Sequence, residues 1–143
     1  MSWTAPLVVF GDAQAAAATY LRAALAGRAE PYAAGATVGT RVPDARSPET
    51  PTLPFVLVRL DGALPDRSRA TSRVTLRITV WHTDPDRAHD LAQLVQGLMA
   101  VHNGPVIRSA EPLLGPVAAI DPDSAVDLST CTVAANVRPV QLT

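Results

Sequence analysis

The sequence predicts an α+β domain: a mostly antiparallel sheet of about four strands, with two helices packed on one face and a long hairpin loop. The main observation is a stretch of alternating apolar and polar residues from Arg73 to Trp81, which is typical of a strand with one buried face. Its apolar set is Val74, Leu76, Ile78 and Val80, and its other set is Thr75, Arg77, Thr79 and Trp81. An amphipathic helix follows directly. No linker divides the chain, so residues 1–143 form a single predicted domain.

The first helix is predicted from Asp12, a suitable N-cap, to about Ala26, with Gly27 near its end. One side of this helix carries Ala13, Ala17, Tyr20, Leu21, Ala24 and Leu25. Its many alanines favour helix and allow close packing on a sheet. The preceding apolar run from Pro6 to Phe10 is too short to classify.

The segment from Arg28 to Leu53 is irregular in sequence, and only the run from Thr37 to Val42 is compatible with a short strand. Its later part, together with the residue that follows it, is interrupted by Pro43, Pro48, Pro51 and Pro54. These prolines exclude a helix and oppose a central strand. The segment is therefore either an interaction loop or poorly ordered in isolation.

The run from Phe55 to Leu60 is nearly apolar on both faces, which predicts a strand covered on both sides over part of its length. Asp61-Gly62 starts a turn, and a long polar connection leads to the strand at Arg73. If the two strands pair, this connection is an extended hairpin tip. It is either a solvated surface loop or a contact arm for a neighbouring subunit.

The second helix has clear start and stop signals. Asp84 suits the N-cap, Pro85 the first helical position and Asp86 the positive end of the helix dipole. Asn103-Gly104-Pro105 marks the end. His102 is predicted to cover this end, where a cation suits the dipole.

The remaining sequence predicts two more sheet segments. The stretch from Val106 to Ile120 is expected to be broken strand and loop, because Pro112 and Pro116 interrupt it. The last strand is predicted from Leu128 to Val137, with a continuation to Leu142 left open.

The composition of the chain gives expectations about its partners, its cysteine and its cellular location. The formal net charge of −1 gives no argument for binding nucleic acid or a membrane surface. Cys131 is the only cysteine, so it has no internal disulfide partner and is expected to be a buried structural thiol. No signal peptide and no run long enough to span a bilayer is visible, so a soluble protein made in the cytoplasm is expected.

Two related strings, Asp84 to Asp90 and Asp121 to Asp127, both read D-P-D-x-A-x-D. They are interpreted as helix or turn starts rather than as cation sites, because a calcium loop needs a glycine and a distal glutamate that both lack. The three histidines, His82, His89 and His102, have no metal-ligand spacing. No metal site, cofactor or catalytic residue is predicted.

An enzyme with an unrecognised site stays open as an alternative, and it would need a pocket where His82, Asp84 and Arg77 converge. Arg59, Arg73 and Arg77 are expected near one another on the paired strands. Arg77 shares the polar face with Thr75, Thr79 and Trp81. That face is either partly exposed to water or buried against another copy, because Arg and Trp are enriched in interface centres.

Several local strings, in this order, resemble tail terminator proteins of bacteriophages with long non-contractile tails. The segment from Asp12 to Leu25, with Tyr20-Leu21-Arg22, is similar to their opening helix. The run from Pro54 to Gly62 is similar to their first main strand and turn. Val74 to Trp81, followed by Ala88-His89-Asp90-Leu91-Ala92, is similar to their second strand and long helix.

The resemblance implies an α+β subunit of a ring, typically a hexamer, at the head–tail junction of a virion. Such a ring caps the tail tube, stops its polymerisation and joins it to the head connector protein. It implies no membrane partner and no sequence-specific nucleic acid, although DNA passes through such rings. A head-closure or connector adaptor is the nearest alternative. The expected subunit or tube contacts are Arg41, Arg46, Asp66, Arg67, Arg69, Arg73, Arg77 and Trp81.

Overall fold

A computed structural model describes residues 7–41, 53–63, 71–122 and 125–142. The elements follow in the order β1 (Leu7–Phe10), α1 (Ala13–Ala26), a 3-10 turn (Pro31–Ala33), β2 (Thr37–Gly39), β3 (Phe55–Ala63), β4 (Ser72–His82), α2 (Pro85–Ala100), β5 (Ile107–Ile120), β6 (Asp127–Val137) and β7 (Pro139–Leu142). The predicted α+β class is confirmed, with two α-helices and mostly antiparallel pairing.

The strand count differs from the prediction of about four. The main sheet has five strands in the order β2-β3-β4-β6-β5, and β1 and β7 form a separate two-stranded ribbon. All neighbours are antiparallel except β2 and β3. The short strand expected near residue 37 is therefore present, but it pairs in parallel at the edge of the sheet.

Both helices lie on one side of the main sheet. α1 packs over β2 and β3, and α2 packs over β4, β6 and β5. The core between these layers includes Leu21 of α1, Leu91 of α2 and Ile78 of β4, each fully buried. The apolar set predicted on the strand from Arg73 to Trp81 faces this core: Val74, Leu76, Ile78 and Val80. The opposite face of the sheet carries no helix of the described chain.

Both helices begin at their predicted caps. The Asp12 carboxylate accepts a hydrogen bond from the Ala15 amide at 3.0 Å, and the Asp84 carboxylate accepts one from the Asp86 amide at 2.9 Å. These bonds satisfy amides of the first turn that have no partner within the helix. α1 ends at Ala26, as predicted.

Strand β3 is covered on both faces only near its start. Phe55 and Val56 point to opposite faces and are both buried, whereas Leu60 is 51% exposed. β3 and β4 pair as an antiparallel hairpin, and the pairing continues as far as Ala63 opposite Val74. The predicted hairpin is therefore present, and its tip lies outside the described residues.

The prediction that residues 106–120 form broken strand and loop is wrong in one respect: β5 is a single long strand. Its ladder with β6 is irregular between Ile107 and Ser109 and between Pro112 and Val117. Proline is tolerated because β5 is an edge strand whose outer side needs no ladder bonds. Gly115 has φ 88°, and a Cβ there would lie 2.5 Å from the Thr130 carbonyl oxygen.

The last predicted strand divides into two. β6 ends at Val137 in the main sheet, and β7 leaves it after Arg138 to pair with β1. The apolar run before α1, which the sequence left unclassified, is therefore a strand whose partner lies at the other end of the described chain.

Candidate assembly surfaces

The helix-free face of the main sheet carries charged side chains that pair with one another. Arg59 and Arg77 lie directly opposite each other on β3 and β4. Arg77 forms an ion pair with Asp61 at 3.0 Å, and Arg59 donates to the Thr40 carbonyl at 2.9 Å. The two guanidinium groups therefore bind different acceptors, although their residues are directly opposed. Arg77 keeps a side chain that is 54% exposed, so it stays available to a partner.

Arg73 lies on the same face and forms an ion pair with Glu111 of β5. Arg59 and Arg77 are therefore adjacent, as predicted, whereas Arg73 lies four residues away along β4 and pairs towards β5. Each of the three is joined to an acceptor within the chain. Arg41 is exposed at the end of the first described segment. Four other predicted contact residues, Arg46, Asp66, Arg67 and Arg69, lie outside the described residues.

Trp81, also a predicted contact residue, is buried within the domain. Its side chain is only 6% exposed, and its ring lies 5.7 Å from that of Phe55. The indole N–H donates to the Asp121 carboxylate at 2.8 Å. Trp81 therefore joins β4 to the β5–β6 turn and offers little surface to another molecule in this arrangement.

The three residues of the alternative enzyme site do not converge. Arg77 is on the helix-free face, whereas the His82 side chain is buried on the other side of β4. The His82 Nδ1 accepts the Thr83 amide at 2.8 Å, which leaves Nε2 to donate to the Tyr32 carbonyl at 3.0 Å. Asp84 is used as a helix cap. Each of these groups thus has a local structural partner.

The two D-P-D strings have different structural roles. Asp84 starts α2, as predicted, whereas Asp121 lies in the β5–β6 turn, where its backbone N–H donates to the Val126 carbonyl at 3.0 Å. Ala125 in this turn has φ 57°. Within residues 7–41, 53–63, 71–122 and 125–142, no group of three histidine, cysteine or acidic side chains is arranged to hold a metal ion.

Cys131 is a buried thiol, as predicted. It is 1% exposed, and its sulfur lies 3.9 Å from the Ala92 carbonyl oxygen of α2. Burial away from water disfavours the thiolate and raises the pKa of the Cys131 thiol to about 12. The thiol therefore stays protonated at neutral pH.

An apolar groove runs between α1 and the segment that follows α2, with a volume of about 580 Å³. Its walls include Ala16, Thr19, Tyr20 and Ala23 from α1, and His102 and Val106 opposite. The rings of Tyr20 and His102 stack with centroids 3.9 Å apart. Partial burial lowers the pKa of the His102 imidazole, so the predicted cationic role at the end of α2 is not favoured.

The β1–β7 ribbon exposes aliphatic side chains on one face. Leu7 lies opposite Leu142 and Val9 opposite Val140, so all four point the same way. Leu7 is 65% exposed and Val140 is 51% exposed. We call these four residues the ribbon face.

A third apolar surface follows the second half of β5. Leu114 and Val117 share one face of the sheet and are each more than 60% exposed, and Leu113 is 43% exposed. Ile120 is 65% exposed and points to the opposite face. This surface, the ribbon face and the groove were not predicted from the sequence. Leu113 and Leu114 between Pro112 and Pro116, followed by Val117, are a local signal for the β5 surface, but the ribbon depends on pairing between distant segments.

No helix of the described residues has the length and apolar character needed to cross a membrane. Neither the family models nor the curated proteins that were searched include a match to this chain.

Proposed function

We propose that this chain is a structural subunit of a phage tail terminator: a ring-forming protein that caps the tail tube, stops its polymerisation and joins the tube to the head connector. The proposal starts from the resemblance of residues 12–25, 54–62, 74–81 and 88–92 to that family. Those strings lie in α1, β3, β4 and α2, so they cover both helices and two strands of the main sheet.

The observation that carries the proposal is the amount of aliphatic surface left exposed on a domain whose core is otherwise complete. Leu7 on the ribbon and Leu114, Val117 and Ile120 on β5 are each exposed by 63% or more. Leu114 and Val117 share one face of the sheet, and neighbouring exposed aliphatic side chains of this kind mark protein interaction sites. A ring subunit would bury these side chains against its neighbours and against the tube.

Charged residues are the second part of the proposed contacts. Arg41 and Arg77 are exposed on the described chain, and we assign Arg46, Asp66, Arg67 and Arg69 to contacts with a neighbouring subunit or the tube because of their place in long connections. Polar residues at the rim of an interface set its register and specificity more than its affinity. No catalytic step is part of the proposal.

The test is assembly on a tube. Purified chain is mixed with tubes of the tail tube protein of the same phage, and the products are examined by electron microscopy and light scattering. We expect rings at tube ends and tubes that no longer elongate when more tube protein is added. Leu114→Ser should weaken this capping, whereas Val101→Ser, an equally exposed aliphatic position at the end of α2, should leave it unchanged.

Binding to the head connector without any effect on tubes would favour the adaptor alternative. Absence of both rings and capped tubes, with wild-type chain folded, would reject the tail terminator assignment.

A further inference from the structure

We propose that Gln96, a buried residue of α2, is a positioning residue: it holds a register slip in β5 that brings Leu114 and Val117 together on one face of the sheet. We call these two residues the β5 pair. The proposal deepens the function proposed above and rests on it for what the pair contacts. The slip and its control by Gln96 are properties of this chain alone, so they are testable without a phage tail.

The slip follows from the pairing of β5 with β6. β5 advances by three residues between Leu114 and Val117. Their partners on β6, Thr132 and Thr130, are only two residues apart. β5 therefore contains one extra residue here, which is a β-bulge. Residues three apart in a regular strand point to opposite faces, but the bulge places the β5 pair on the same face.

A regular register would separate the β5 pair. Regular pairing beyond Leu114 would set Val117 opposite Ser129, which lies on the side of the sheet that carries the helices. Pro116 would then take the place of Val117 on the helix-free face. In the observed register Leu114 is 70% exposed and Val117 is 63% exposed. A slip of one residue therefore decides whether this face presents two neighbouring aliphatic side chains or one.

Gln96 binds both strands at the start of the slip. Its Nε2 donates to the Leu114 carbonyl at 3.0 Å and to the Thr132 carbonyl at 3.1 Å. These two residues are directly opposite each other in the ladder. The Leu114 N–H donates to the Thr132 hydroxyl at 3.1 Å. Side chains thus supply hydrogen bonds next to the bulge, where a regular ladder would rely on the backbone.

Gln96 is an exception on the buried side of α2. This helix lies wholly within the described residues, and Gln96 is the only polar side chain among its buried ones: Ala88, Leu91, Ala92, Val95, Gln96 and Met99. Burying an amide among apolar groups costs free energy unless the amide is hydrogen-bonded. An aliphatic residue would serve the packing of α2 equally well. The particular contribution of Gln96 is a donor for two carbonyls that belong to different strands.

Gly115 makes the slip sterically possible. Its φ of 88° lies in the left-handed region that favours glycine. A Cβ at this position would be 2.5 Å from the Thr130 carbonyl oxygen and 2.9 Å from the Cys131 Cα, so a larger residue would require β6 to move. Glycine permits this conformation but does not select it, because it has many others available. The bonds of Gln96 select it.

This arrangement is suited to a contact surface. β-bulges re-aim side chains, and a satisfied buried polar network specifies one arrangement of a core. Holding the β5 pair in place before contact lowers the conformational cost of binding. Gln96 acts on the contact through β5 without touching the partner, because its side chain is only 9% exposed and α2 lies on the other side of the sheet.

Cross-strand disulfides report the register directly. All variants carry Cys131→Ala, which removes the only native thiol. Val117→Cys is combined with Thr130→Cys, its partner in the slipped register, or with Ser129→Cys, its partner in a regular one. Directly opposed side chains come within reach of a disulfide, whereas side chains on opposite faces do not. Mild oxidation, followed by mass spectrometry of the remaining thiols, should consume the 117–130 pair faster than the 117–129 pair.

Gln96→Met keeps the length of the side chain but removes both donors, and it should abolish the preference for the 117–130 pair. Gln93→Met, on the exposed side of α2, is the matched control and should keep the preference. A urea transition shows whether each variant is folded. If Gln96→Met does not fold, Gln96→Asn is the second variant: it keeps an amide but is too short to reach both carbonyls, so it should lose the preference as well.

A preference for the 117–130 pair that survives in folded Gln96→Met or Gln96→Asn would overturn the proposal. The role in contact is read from tube capping, which Gln96→Met should weaken as Leu114→Ser does, whereas Gln93→Met should not. Full capping by a Gln96→Met chain that has lost the preference would overturn the positioning role and keep the proposed function. Absence of capping by the wild-type chain, with the preference controlled by Gln96, would reject the proposed function and keep the assignment of the slip to Gln96.

Discussion

The indole N–H of Trp81 donates to the carboxylate of Asp121 at 2.8 Å, and both side chains are buried. The bond joins the end of β4 to the end of β5, where the chain turns into β6, and β5 does not itself pair with β4 in the sheet. A charged acceptor makes it a strong hydrogen bond, and loss of one partner leaves the other buried without it.

Asp121→Ala should therefore lower the free energy of unfolding by about 1–3 kcal/mol. Asp121→Asn, which keeps an acceptor oxygen, should cost less. Urea unfolding of Trp81→Phe, Asp121→Ala and the double variant measures the coupling, and the two single effects should add up to more than the double effect. Strictly additive effects would show that the bond contributes nothing to stability.

Gln96 of α2 is expected to stabilise the irregular part of the β5–β6 ladder. Its amide nitrogen donates to the Leu114 carbonyl at 3.0 Å and to the Thr132 carbonyl at 3.1 Å, where the register shifts. Gln96→Leu removes both donors and should lower the free energy of unfolding by about 1–3 kcal/mol.

The matched control is Gln93→Leu, one turn earlier on the exposed side of α2. It should change stability by no more than about 0.5 kcal/mol in the same urea titration. Equal effects of the two variants would mean that the bonds of Gln96 do not support the sheet.

Cys131 is expected to resist alkylation in the folded protein. Because burial raises the pKa of its thiol to about 12, the reactive thiolate is scarce at pH 8, and the sulfur is shielded from the reagent as well. Mass spectrometry after treatment with iodoacetamide should show no adduct until urea unfolds the chain. A Val9→Cys variant, with an exposed thiol, supplies the positive control. Rapid labelling of the native wild-type chain would contradict the buried placement.

The Tyr20–His102 stack should make stability depend on pH in a defined direction. Burial lowers the pKa of His102 below its ordinary value of 6.5 in the folded state, so the unfolded chain binds the proton more readily. The stability linked to this group is present above pH 6.5 and is lost as the pH falls towards the folded-state pKa. His102→Gln should lessen the fall in urea midpoint between pH 7 and pH 5, with His89→Gln on α2 as the control. An identical pH profile in wild type and His102→Gln would contradict this linkage.

Local patterns determined much of the fold. Alternation along residues 73–81 placed Ile78 in the core, and capping chemistry placed the starts of α1 and α2 at Asp12 and Asp84, because these signals act over a few residues. The thiol of Cys131 was also assigned correctly to the interior from its strand context.

Contacts between distant segments were decided only by the tertiary structure. Pairing of β1 with β7 joins segments about 130 residues apart, and no local pattern encodes such a partner. Trp81 illustrates the same limit: alternation put it on the helix-free face, but the buried acceptor that holds it comes from Asp121 in another turn. The ribbon face and the groove likewise exist only after folding. The ribbon face combines residues 7–9 with residues 140–142, and the groove combines α1 with the segment that follows α2.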